Sequence, residues 1–184
     1  MSPYVIAIVS DRHTHRHEHF VKVFTALWQG SAAVVEQPTA WTVIDPRGPI
    51  TGMMDKYIGE RYGANSDDYP AVESKLVTAL ADVDPNCIEK YITAEIERFT
   101  ERAGKAKSLV YVAVVANAAT AEWLKQAGYF MVGIDTSPSR TETTRMSTFI
   151  NEYVDYKLPR DMRDMGLAVA DIYRVCFAGE CATD

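Results

Sequence analysis

All four histidines of the chain sit at alternate positions, His13, His15, His17 and His19, inside the run Ser-Asp-Arg-His-Thr-His-Arg-His-Glu-His over residues 10–19. Histidine at this density points to metal or phosphate chemistry. An extended backbone would set all four imidazoles on one side, whereas a helix would pair His13 with His17 and His15 with His19, one turn apart. Either arrangement offers ring nitrogens to Zn²⁺ or another transition metal, with Asp11 or Glu18 as a further ligand. The other option is a phosphate cradle made of side chains, in which Arg12, Arg16 and neighbouring histidines act with the N-terminus of the following helix. Such a cradle responds to pH, because histidine changes charge near ~6.5. A nucleotidyltransferase H-x-G-H motif does not fit, since these histidines are spaced by two and no glycine lies among them. A solvated polar loop that binds nothing is the plain alternative.

Other residues with chemical potential are scattered. Ser10 closes an apolar run but lacks the G-x-S-x-G elbow of a nucleophilic serine. Asp45 and Asp135 each follow an apolar run, where an α/β sheet forms its ligand crevice, although turns and caps use aspartate in the same places. Tyr57, Tyr62 and Tyr69 are candidates for lining a base-binding cleft or for packing. Cys87, Cys176 and Cys181 form an odd set without C-x-x-C spacing, which fits a reducing, cytoplasmic setting rather than a disulfide framework.

These residues need a frame, and the apolar pattern supplies one. Val5, Ile6, Ile8 and Val9 predict a buried strand, and Phe20, Val23, Phe24 and Leu27 recur at helical spacing until Gly30 and Ser31 break the pattern. A short second strand is expected within residues 33–44, stopped by Asp45-Pro46-Arg47-Gly48-Pro49. Ile50, Met53, Met54, Tyr57 and Ile58 predict a helix, and Val72, Leu76, Val77 and Leu80 another after Pro70. Asp84-Pro85 reads as a helix start, a capping carboxylate followed by proline at the first helical position. Ile88, Tyr91, Ile92, Ile96 and Phe99 form the apolar face of that helix, which ends near Gly104. The nearly unbroken apolar run 108–116 predicts a strand covered on both faces. A short helix over 117–127, closed by Gly128, and a strand over 129–134 complete a right-handed βαβ unit with parallel strands. A polar loop over 135–140 and a short strand within 153–158 follow. A closing helix spans 162–177, with Met165, Val169, Ile172, Val175 and Cys176 as its apolar positions. The whole predicts one α/β domain over residues 1–184, a three-layer sandwich around a mostly parallel sheet of about five strands.

Composition bounds the function. With 184 residues the chain can bury a core without disulfides or a structural metal. A net charge of −6 argues against a general grip on nucleic acid but leaves small anionic ligands open. No stretch approaches the ~20 apolar residues of a membrane span, and the N-terminus lacks the charged-then-apolar order of a signal peptide.

A first strand that feeds a loop and then a helix is where α/β proteins bind phosphate, and the P-loop form there is G-x-x-x-x-G-K-[ST]. In register with it, this chain has Asp11 at the first glycine, Arg16 at the second, His17 at the lysine and Glu18 at the hydroxyl position. A carboxylate where phosphate should approach is unfavourable, and non-glycine residues strain a loop that needs positive φ. By itself the loop predicts no ordinary ATP binding.

The frame around the loop nevertheless resembles the phage-type deoxynucleoside monophosphate kinases, a branch of the P-loop kinases. The resemblance lies in the opening strand, loop and helix, in Gly48-Pro49-Ile50 leading into a helix, and in Ala64-Asn65 and Asp68-Tyr69-Pro70 after it. It continues through the 88–99 helix before a central strand, Glu122, Ala127-Gly128 and the strand over 130–134, and so spans most of the chain. It implies a five-stranded parallel sheet flanked by helices, and transfer of phosphate from ATP to deoxynucleoside monophosphates with Mg²⁺. It also implies a nucleotide or phosphate site at Ser10, Asp11, Arg12, Arg16, His17 and Glu18, with Arg140 and Arg145 as candidate lid arginines. Such kinases carry an acidic residue and an arginine just past the central strand, where this chain has Val114-Val115-Ala116-Asn117.

The expectation is thus a P-loop-kinase-like protein of phage nucleotide metabolism whose degenerate Walker A loop leaves it nucleotide-binding or non-catalytic. An active atypical kinase, a protein-interaction module on the same scaffold, and a metal site at His13, His15, His17 and His19 are the alternatives. Expected partners are nucleotides or a protein, with a homodimer as an option and no membrane. The expected location is the cytoplasm, that of the host if the chain is phage-encoded.

Overall fold

The computed structural model describes residues 2–11, 15–32, 39–50, 69–134, 145–159 and 164–177. Its strands are β1 (Tyr4–Ser10), β2 (Thr39–Ile44), β3 (Lys107–Val115), β4 (Phe130–Ile134) and β5 (Tyr156–Leu158). They form one five-stranded sheet, parallel throughout, in the order β2-β3-β1-β4-β5. The helices are α1 (His15–Ala32), α2 (Tyr69–Val83), α3 (Cys87–Ala103), α4 (Ala118–Gln126), α5 (Arg145–Glu152) and α6 (Met165–Phe177). With helices on both faces of the sheet, the expected three-layer α/β sandwich is present.

The apolar alternation of β1 decides which helix covers which face. Ile6 and Ile8 pack with Phe20, Phe24 and Trp28 of α1 and with Met165, Val169 and Ile172 of α6. Val5, Ala7 and Val9 pack on the other side with Ile92, Ile96 and Phe99 of α3, Leu124 of α4 and Met146, Phe149 and Ile150 of α5. Phe20, Phe24 and Trp28 recur every fourth residue, so one stripe of α1 is buried. Truncating a core aromatic such as Phe24 to alanine costs about 3–5 kcal/mol in comparable interiors. Among the described residues no helix is long and apolar enough to cross a membrane.

Several boundaries differ from the pattern-based reading. α1 starts at His15, five residues before its first apolar marker, and runs through Gly30 to Ala32. α3 starts at Cys87, because Pro85 and Asn86 form a turn. The Asp84 carboxylate still serves that start, accepting from the Asn86 N–H at 3.1 Å and from Lys90 Nζ at 2.6 Å, and the Lys90 contact holds its carboxyl below the usual range. α5 falls where no helix was expected, and Val175 of α6 is exposed. β3 and β4 are parallel as foreseen, but β1 lies between them. The helix expected from Ile50 begins at residues 48–50, and its further apolar positions lie outside the described residues. The 135–140 loop and Cys181 also lie outside them, while Cys87 and Cys176 are free thiols.

Candidate functional site

The strand order creates one place where connections diverge. α1, which follows β1, covers one face of the sheet, and α4, which follows β3, covers the opposite face. β1 and β3 are neighbours whose following helices cover opposite faces, which makes their carboxyl ends the topological switch point, the place where open α/β sheets form a ligand crevice. Ser10 sits at its base, level with Val115 of β3 and Ile134 of β4. The Ala116 N–H donates to the Ser10 carbonyl oxygen at 2.9 Å and ties the two strand ends together. Ala116 adopts φ +53°, a left-handed backbone that costs an alanine about 1 kcal/mol. Asn117 follows as the N-cap of α4, its side chain accepting from the Thr120 N–H at 3.1 Å.

Above Ser10 stands the first turn of α1. Ser10 Oγ lies 3.1 Å from His17 Nε2, and both residues are buried, His17 at 4% exposure. The pair resembles a nucleophile beside a base in chemistry, but its burial makes it a strut between the end of β1 and α1. Arg16 donates from Nη2 to the Pro159 carbonyl oxygen just past β5, so its guanidinium spans the top of the sheet. Asp11 is half-buried at the mouth. Glu18 is exposed, with His15 Nδ1 3.8 Å from its carboxylate.

Residues 15–19 are helical, which sets His15 and His19 one turn apart, as the helical alternative expected for that pair. His15, its side chain 99% exposed, and His19 share one flank, while His17 lies about 200° around the helix and points inward. Among the described residues no group of three or more His, Cys, Asp or Glu is placed to hold a metal ion. Arg12, His13 and Arg140 lie outside the described residues. Arg145 opens α5 and makes a two-pronged contact with Glu122 of α4, at 2.8 Å from Nη2 to each carboxylate oxygen. Asp45 closes a turn by accepting from the Arg47 backbone at 2.9 Å and its guanidinium at 3.1 Å. Tyr57 and Tyr62 lie outside the described residues, and so does Asp135.

No protein-family model and no curated protein matches the sequence.

The structure adds a feature that the sequence reading missed. A recess of about 560 Å³ opens between α1 and the β2 side of the sheet, with His17 at one end and Trp41 and Val43 on its floor. Trp41 and Val43 are paired in register with Leu109 and Tyr111, so they occupy the same sheet face as α1. Two large apolar residues alternating on a short strand were the available signal. An edge strand that α1 covers only in part leaves them 43% and 45% exposed.

Proposed function

We propose that this chain is a nucleotide-binding protein on a nucleoside-monophosphate-kinase-like frame, whose phosphate loop has diverged away from phosphoryl transfer. The observation that carries this reading is the switch point between β1 and β3, beside which the first turn of an 18-residue helix stands in contact with Ser10. The positive end of a helix dipole favours phosphate. The kinase resemblance of the surrounding frame supplies the class of ligand, a deoxynucleoside mono- or triphosphate.

The same geometry argues for binding over catalysis. Phosphoryl transfer depends on cations and Mg²⁺ that follow the transferred group. His17, in register with the P-loop lysine, is turned inward onto Ser10, and Arg16 donates to the Pro159 carbonyl. Asn117, near where such kinases carry an acidic residue and an arginine, is used as a helix cap. Arg145, the described lid candidate, is held by Glu122.

Calorimetric titration with ATP and the four deoxynucleoside monophosphates, with and without Mg²⁺, tests the reading beside a radiolabelled phosphate-transfer assay. Saturable binding of at least one nucleotide without transfer above background is expected. Absence of binding at millimolar nucleotide, or ATP-dependent phosphorylation of any monophosphate, contradicts it.

A further inference from the structure

The recess beside α1 has the build of a binding site in its own right. Its floor is built on a ring contact: Trp41 and Tyr111 meet edge to face at 6.4 Å between centroids and 74° between planes. The buried Tyr111 hydroxyl is tied to Thr25 Oγ1 of α1 at 2.7 Å. Helix and sheet are thus pinned together at the base of the recess, and Trp41 is held in place with much of its surface uncovered. The volume, about 560 Å³, lies within the range of sites for ring-bearing small molecules.

Polarity in the recess is confined to one side. Ile8, Val43 and Ala113 make the floor apolar, while Glu18, Lys22 and Gln29 of α1 line the helix wall. That wall offers an acceptor, a cationic donor and an amide with both roles. An apolar slot with a mixed donor and acceptor edge suits a flat ring that has apolar faces and a hydrogen-bonding rim. An aliphatic chain would leave the edge groups unused. His17, at the end of the recess, contacts Ser10 at the base of the crevice, so the two sites share a residue.

We infer that this recess is a nucleobase slot, in which the base of a nucleoside stacks against Trp41 and turns its edge toward Glu18, Lys22 and Gln29. The identity of the ring rests on the nucleotide-binding reading above, while the slot itself rests on the recess geometry alone.

The test titrates the full chain with deoxyadenosine and thymidine, which carry no phosphate, and with their 5′-monophosphates. Binding is measured by calorimetry for the wild type, Trp41→Ala, Gln29→Ala and Val43→Arg. Saturable binding of at least one nucleoside is expected, weakened at least tenfold by Trp41→Ala, as loss of a base-stacking aromatic generally does. Val43→Arg should block the slot, and Gln29→Ala should change the preference between the two bases. Trp41 and Val43 are exposed, so circular dichroism should find both variants folded. Should Trp41→Ala fail to fold, Val43→Arg decides the matter alone. Nucleosides that do not bind, or that bind equally to the wild type and the folded variants, overturn the slot. Monophosphates that bind without regard to Trp41 and Val43 overturn it too, yet leave the crevice reading standing. Nucleosides that bind through Trp41, with monophosphates no tighter, support the slot and count against the phosphate site.

Discussion

Ala116 carries a left-handed backbone, φ +53°, where β3 hands over to α4, and its N–H donates to the Ser10 carbonyl oxygen at the switch point. Glycine at this position should relieve about 1 kcal/mol of strain, partly offset by a looser unfolded chain. Ala116→Gly is therefore expected to gain less than about 1 kcal/mol in urea unfolding, and Ala116→Val to lose more than that; a stabilised valine variant would contradict the strain assignment. The buried Thr25–Tyr111 hydrogen bond gives a second prediction. Tyr111→Phe leaves the Thr25 hydroxyl buried beside an apolar ring and should cost about 1–3 kcal/mol, while Thr25→Val with Tyr111→Phe should cost less than the sum of the single changes. Additive costs would mean that the two hydroxyls are not coupled. At this scale sequence pattern is least informative. His17 reads like its neighbours in the histidine run, and only its place in the first turn of α1 sends it inward onto Ser10 while His15 faces solvent. Ala116 looks like an ordinary strand end.

α5 was illegible for an identifiable reason. It has eight residues, of which Met146, Phe149 and Ile150 are buried, and so short a helix is stabilised by packing rather than by propensity. Its partner left a clue in Gly133, a glycine inside the apolar strand β4. A Cβ there would lie 2.9 Å from Ile150 Cγ2 and 3.0 Å from Val154 Cγ2. Gly133→Ala is accordingly expected to destabilise by about 1–3 kcal/mol in thermal or urea unfolding, and a neutral result would mean that α5 sits further from the sheet. The Arg145–Glu122 contact joins α5 to α4 on the surface, where both side chains are exposed, so Arg145→Ala should change stability by less than about 1 kcal/mol. The strands, by contrast, were plain in the sequence. β1 and β3 are continuous apolar runs because both their faces are covered, and that pattern needs no tertiary knowledge to read. The start of α1 was hidden, since its first turn is polar and presents no apolar marker before Phe20.

The arrangement of the whole sheet is what neither residue nor element pattern contains. Parallel strands could be inferred from the βαβ rhythm, but the order β2-β3-β1-β4-β5, and with it the switch point beside Ser10, depends on how all the faces are covered at once. The same burial gives the molecule an alkaline limit. Tyr111 and Tyr4 have hydroxyl pKa values pushed above the usual range, chiefly by burial. A raised value in the folded state means that their contribution is complete below the unfolded tyrosine value of about 10 and is lost as pH rises beyond it. Urea unfolding from pH 8 to 11 should therefore show stability falling above about pH 10, with a shallower fall in the Tyr4→Phe/Tyr111→Phe variant; equal slopes would contradict the assignment.

The central claim is the proposal that a nucleotide phosphate is received at the switch point beyond the carboxyl ends of β1 and β3. Amide chemical-shift mapping of the ¹⁵N-labelled chain during titration with a deoxynucleoside monophosphate tests it most directly, because it locates the ligand as well as detecting it. The account predicts saturable shifts centred on Ser10, Asp11, Arg16, His17, Ala116 and Asn117, the residues that surround the switch point. Saturable shifts that spare these residues, or no shifts at millimolar nucleotide, would contradict it.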